Sequence, residues 1–281
     1  MSLDSYPKEY FNGLEKLEDG RYLTYYSTDY HERASYLAEM AEKGYKFLQE
    51  FFQTDVEIPL MVLNKEDWEK RSELPYGLIN AYNNCLHFPT DTDNWPQDDA
   101  RQPIFDSSPE HLQRKLIQMV GEETPFKKGF HIFFDSKIVH ELTHVCLKNR
   151  GIRFGLNWFN EFFCDYTNYA FLKRYEEEYR HQLKLLELIP HIVYEGGLPY
   201  AKYTRSEDFD RLYHGVGEKN VAWFYCRGLL GVFDLFKVQG EGFISDVISA
   251  YGPSNDNLVE RLCSVNNTLG PWFKEWLTKN P

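Results

Sequence analysis

Residues 136 to 151 read SKIVHELTHVCLKNRG, and within them His140, Glu141 and His144 follow the pattern His-Glu-x-x-His. On an α-helix, positions i and i+4 share a face with their β-carbons about 5–6 Å apart, so two imidazoles placed this way can converge on one zinc ion. Glu141 flanks that face and is set to reach a water beside the ion rather than the ion itself. Ile138, Val139, Leu142, Val145 and Cys146 give the run an apolar stripe, and Lys148, Arg150 and Gly151 supply a C-terminal stop. A chain of this composition yields about 0.03 such matches by accident. Two histidines that merely decorate an amphipathic helix are the plain alternative.

The continuation, GLNWFNEFFCD over residues 155–165, adds the missing chemistry. Glu161 is the candidate third ligand. Asp165, one turn further on the same face, can accept the second ring N–H of a metal-bound histidine and so fix its tautomer. Two histidines, one glutamate and an open position make a catalytic zinc arrangement, since structural zinc usually closes with four protein ligands. Cys146 points nearly opposite His144 on its helix, and Cys164 reads as a buried thiol.

These motifs resemble the gluzincin zinc metallopeptidases, especially the aminopeptidase N and leukotriene A4 hydrolase family. That family's Trp-Leu-Asn-Glu-Gly-Phe matches Trp158, Phe159, Asn160, Glu161, Phe162 and Phe163, and the thermolysin-type Asn-Glu-x-x-x-Asp matches Asn160, Glu161 and Asp165. Sixteen residues separate His144 from Glu161, about two fewer than in the aminopeptidases, which implies a tighter connecting loop. The resemblance implies an oxyanion donor from a Tyr-x-Lys-Gly segment, here Tyr225-Cys226-Arg227-Gly228, with Tyr213 and His214 in reserve. It also implies a substrate-pairing edge strand. Residues 77–81 are the nearest counterpart, with Gly77 and Asn80 as candidate substrate contacts, Asn80 standing where the family carries an amine-binding glutamate. The implied function is zinc-dependent peptide hydrolysis with Glu141 as general base. A related zinc hydrolase of a non-peptide amide, ester or epoxide is one alternative, and a non-catalytic, metal-stabilised binding protein another.

These residues need elements to carry them. The pattern predicts strands over 21–26, 56–63 and 78–88 (the last turning near Asn83-Asn84), and a short strand over 131–134. It predicts helices over 30–52, about 109–120, 136–149, 158–188, 219–238, 242–250, 257–264 and 271–278. Gly44 reads as a weak point in the first helix. Residues 91–110, acidic and Pro-containing, read as a loop. Its Asp91-Thr92-Asp93-Asn94 cluster lacks the glycine and later glutamate of a calcium loop. Strands first and helices after give an α+β chain. The expected organisation is an α+β lobe over 1–150 ending in the histidine helix, then a mainly helical lobe over 151–281 with the third ligand and the oxyanion donor. By resemblance, this is a thermolysin-like zincin unit with the zinc where the lobes join.

Composition sets the remaining bounds. The chain has 281 residues, of which 21 Phe, 20 Tyr and 6 Trp make 17% aromatic, enough for a large ring-rich core. A formal net charge of −12 argues against nucleic-acid binding. No apolar run long enough for a membrane span and no secretory leader are evident, and the five cysteines show no Cys-x-x-Cys spacing. A reducing cytoplasmic setting is expected, with Asn266-Asn267-Thr268 a chance sequon, and the partner is a peptide or small-molecule substrate.

Overall fold

The computed structural model describes residues 8–18, 22–55, 58–82, 85–91, 98–212, 215, 217–251 and 258–278. The chain is α+β, mostly helical with a small mixed sheet. In order come β1 (Glu15–Lys16), β2 (Thr24–Tyr26), α1 (His31–Phe52), β3 (Leu60–Leu63), α2 (Lys65–Glu69), β4 (Asn80–Tyr82) and β5 (Cys85–Pro89). Helices follow: α3 (Asp98–Asp106), α4 (Glu110–Val120), α5 (Pro125–Asp135), α6 (Ile138–Asn149), α7 (Asn157–Arg174), α8 (Arg180–Gly197) and α9 (Ser206–Leu212). The chain ends with α10 (Glu218–Gln239), α11 (Gly242–Ala250), α12 (Leu258–Val265) and α13 (Leu269–Thr278). Among the described residues no helix is long and apolar enough to cross a membrane.

The chain divides into two compact units, one of residues 1–98 and 137–150, the other of 99–136 and 151–281. The first holds the five-stranded sheet, ordered β1-β2-β3-β5-β4. β2, β3 and β5 run parallel, and β1 and β4 pair antiparallel at the two edges. β3 and β5 are buried along their whole lengths, so they read as continuous apolar runs rather than alternating ones. Helix α1 packs on β2 and β3 and crosses α6, which also packs against β4. A β-carbon added at Gly44 would collide with the Val139 side chain. The glycine that weakens α1 as a helix is therefore what lets α6 come close.

In the second unit α10 packs on α7 and α8, and α4 and α5 pack on α8. Its core is a continuous cluster of rings: Phe159, Phe162 and Phe163 of α7 meet Phe243 of α11 and Phe273 of α13, with Trp272 and Trp276 alongside.

Four local expectations need correction. The segment 131–134 is not a strand but the last part of α5. Phe126, Phe130 and Phe133 recur at helical spacing with Gly129 seated on Leu116, and Pro125 opens the first turn. The expected loop over 91–110 contains α3, whose Arg101, Ile104 and Phe105 are buried. The expected helix over 158–188 is two helices, broken after Arg174, where the acidic run Glu176-Glu177-Glu178 offers nothing to bury. Helix α4 starts at Glu110, one residue after the expected start, with Pro109 as its N-cap, and the Ser108 hydroxyl donates to the Phe105 carbonyl. The turn residues Asn83 and Asn84 and residues 92–94 of the Asp91-Thr92-Asp93-Asn94 cluster lie outside the described residues.

Candidate metal centre

The histidine helix is held from behind. Val139 meets Gly44, Leu142 is buried, the Thr143 hydroxyl donates to the Val139 carbonyl at 2.7 Å, and the Asn149 amide donates to Thr54 Oγ1 at 2.8 Å. These contacts use the apolar and small polar positions of α6 and leave His140, Glu141 and His144 for the other face. His140 is 5% exposed. Its Nε2 lies 3.1 Å from Nε2 of His144, with the two rings edge to face at 4.8 Å. Two nitrogens bound tetrahedrally to one zinc at about 2.05 Å would be about 3.3 Å apart. The pair already has nearly that spacing. Cys146, buried on the far side with its thiol pushed up to about 12 by desolvation, offers no thiolate.

Helix α7 is positioned differently. From Phe162 to Leu172 every residue is buried. Its first turn has no side-chain cap of its own. Instead Asp210 of α9 accepts the Trp158 backbone N–H at 3.0 Å, and its backbone carbonyl accepts from the Asn157 amide at 3.5 Å. Burial raises the Asp210 carboxyl above the usual range, and the backbone N–H groups of Trp158 and Asn157 pull partly the other way. Glu161 follows one turn into the helix. Asp165 is 1% exposed. Among the described residues one group of three could hold a metal ion: His140, His144 and Glu161 each offer a ligand atom, and these atoms lie within 4.8 Å of one another. Neither Cys146 nor Cys164 belongs to it.

Tyr225 sits half-buried on α10 with its ring edge-on to Phe209 at 5.6 Å, and both line a cavity with Glu161, Asp165, Arg227 and Trp276. Arg227 donates to the Thr204 carbonyl at 2.7 Å and the Trp276 carbonyl at 3.3 Å. Burial lowers its proton affinity, yet a guanidinium starts so high that it stays charged. Tyr213 and His214 lie outside the described residues. β4 is an edge strand, and Gly77, with φ +87°, turns the chain into it. The Asn80 amide donates to the Leu78 carbonyl at 2.7 Å, and its Oδ1 lies 3.1 Å from Nδ1 of the fully buried His87. The Asn80 side chain is thus engaged within the sheet.

Spacing along the chain had no means of marking Phe209, Asp210 or Trp276. They come from α9 and α13, and only the packed fold places them beside α7. Comparisons with protein families, with curated proteins and with solved structures find no match for this chain. The functional reading therefore stands on the site itself.

Proposed function

We propose that this protein is a zinc-dependent metallopeptidase of the gluzincin type, with His140, His144 and Glu161 as the metal ligands and a thermolysin-like arrangement of its catalytic elements. One observation carries the reading: two imidazole nitrogens and a carboxylate oxygen, the donor set of catalytic zinc, converge within 4.8 Å. An α+β chain whose histidine helix packs against an antiparallel edge strand supports the finer comparison. When bound, zinc supplies Lewis acidity, polarising a carbonyl and making a water acidic near neutral pH.

The remaining work falls to the chain. Glu141, adjacent to the first ligand, takes a proton from the attacking water and delivers it to the leaving amine. The Tyr225 hydroxyl donates to the oxyanion that develops on the carbonyl, an interaction stronger in the transition state than in the ground state. Buried Asp165 holds a ligand imidazole in the tautomer that leaves its ligating nitrogen unprotonated. β4, at one edge of the sheet, pairs with extended substrate, Gly77 and Asn80 contributing through the backbone.

Metal analysis and peptide digestion test this together. Wild-type protein should bind one zinc, and His140→Ala should lose it. Glu141→Gln should keep the zinc and lower kcat/KM by about 10²–10⁴-fold. Undiminished hydrolysis by zinc-loaded Glu141→Gln would sink the assignment.

A further inference from the structure

We propose that the cavity beside Glu161 admits only a small substrate side chain, of the size of alanine or serine, and that Trp276 sets that limit. The inference rests on Glu161 as a metal ligand and deepens that reading by naming a substrate class: peptides with a small residue flanking the bond to be cut.

The cavity measures about 30 Å³. That holds one or two waters or a methyl group, far short of a phenyl ring. Its walls are mostly rings, Trp158, Phe209, Tyr225 and Trp276 among them, with Glu161, Asp165, Ser206 and Arg227 as polar members. A methyl- or hydroxymethyl-sized group therefore suits this mixed lining.

The limit is built in because Trp276 cannot easily swing aside. Its ring lies 5.6 Å from that of Trp158 and stacks on Trp272 at 5.9 Å. The indole sits hard against Gly231, where any β-carbon would collide with it. Arg227 holds the same residue twice, through the 3.3 Å bond to its carbonyl and with its guanidinium 5.2 Å from the ring centroid. Admitting a large side chain would break several of these contacts at once.

Calorimetric binding to Glu141→Gln protein tests the limit without depending on turnover. The probes are two sets of blocked hexapeptides, identical except for alanine or phenylalanine at each of the two central positions. The alanine peptides should bind at least about tenfold more tightly. Adding Trp276→Ala should bring that ratio to unity or invert it. Equal or better binding of phenylalanine peptides by the parent overturns the inference, as does a ratio unmoved by Trp276→Ala in protein that still melts cooperatively, or binding of neither set. Should Trp276→Ala fail to fold, Trp276→Phe keeps a ring in the cluster and should shift the ratio about threefold in the same direction. Size-blind cleavage by zinc-loaded wild type defeats this inference and leaves the peptidase reading intact. Size-selective binding with undiminished Glu141→Gln activity does the reverse.

Discussion

Helices α6 and α7 carry the two halves of the candidate ligand set and are held by contrasting means. α6 is fixed by fit: a glycine on α1 receives Val139, an edge strand lies alongside, and that strand is tied to its neighbour through buried polar groups. α7 is fixed by bulk, with rings on nearly every side and one aspartate from another helix holding its first turn. Hydrogen-bonded fit responds to protons and to single methyl groups. Ring packing responds to volume and hardly to pH. The two supports should therefore fail under different perturbations.

The largest expected difference is with acid. His87 on β5 is fully buried, 3.1 Å from both the Tyr10 hydroxyl and Asn80 Oδ1. Desolvation first, and the nearby Arg71 guanidinium second, lower its pKa from 6.5 to about 4. The unfolded chain takes up this proton before the folded one does. Stability from neutral His87 is thus complete above pH 6.5 and drains away as pH falls toward about 4. By pH 4.5 the loss should reach about 2–3 kcal/mol. Urea melts at pH 7 and 4.5, compared with His87→Gln, isolate it, and an equal pH slope in the two proteins would refute the account. Asp210 has the opposite sign: its raised carboxyl binds a proton more readily folded than unfolded, so acid does not weaken the α7 cap through burial.

Next in size is a single methyl. Gly44→Ala improves the intrinsic helix propensity of α1 by about 1 kcal/mol, so an uncrowded site would gain stability. Here the new β-carbon meets Val139 on α6, one residue before His140. Overpacking should win, with a net loss of about 1–2 kcal/mol and weaker zinc affinity from a displaced α6. Thermal melts and a zinc titration read both, and a stabilised Gly44→Ala protein would mean that α6 is not held by fit.

The same contrast explains what the sequence disclosed. α6 was legible because its apolar stripe and its His-Glu-x-x-His pattern coincide in one window, and α11 because its ends match its apolar run. α7 carries almost no amphipathic signal, being buried all round from Phe162 to Leu172, so Glu161 was found by motif and not by periodicity. Residues 131–134 misled because four apolar residues suit strand or helix equally, and the helical recurrence of Phe126, Phe130 and Phe133 shows only over a longer window. α3 hid behind acids and Pro103, since its stability comes from burying Arg101, Ile104 and Phe105 rather than from propensity. Gly44 was visible, but its purpose lies in a residue 95 positions away.

The smallest effect probes the polar support of the first turn of α7. Removing the carboxylate with Asp210→Ala leaves the Trp158 N–H without its acceptor and should cost about 1 kcal/mol, the ordinary worth of an N-cap. Asp210→Asn keeps an acceptor oxygen and removes a partly buried charge, so it should recover more than half of that loss. Because rings anchor the rest of the helix, neither change should move zinc affinity by more than about threefold. If Asp210→Asn proves as damaging as alanine, charge at the helix N-terminus outweighs the hydrogen bond. If either variant abolishes zinc binding, α7 depends on its first turn more than on its rings, and the contrast with α6 fails.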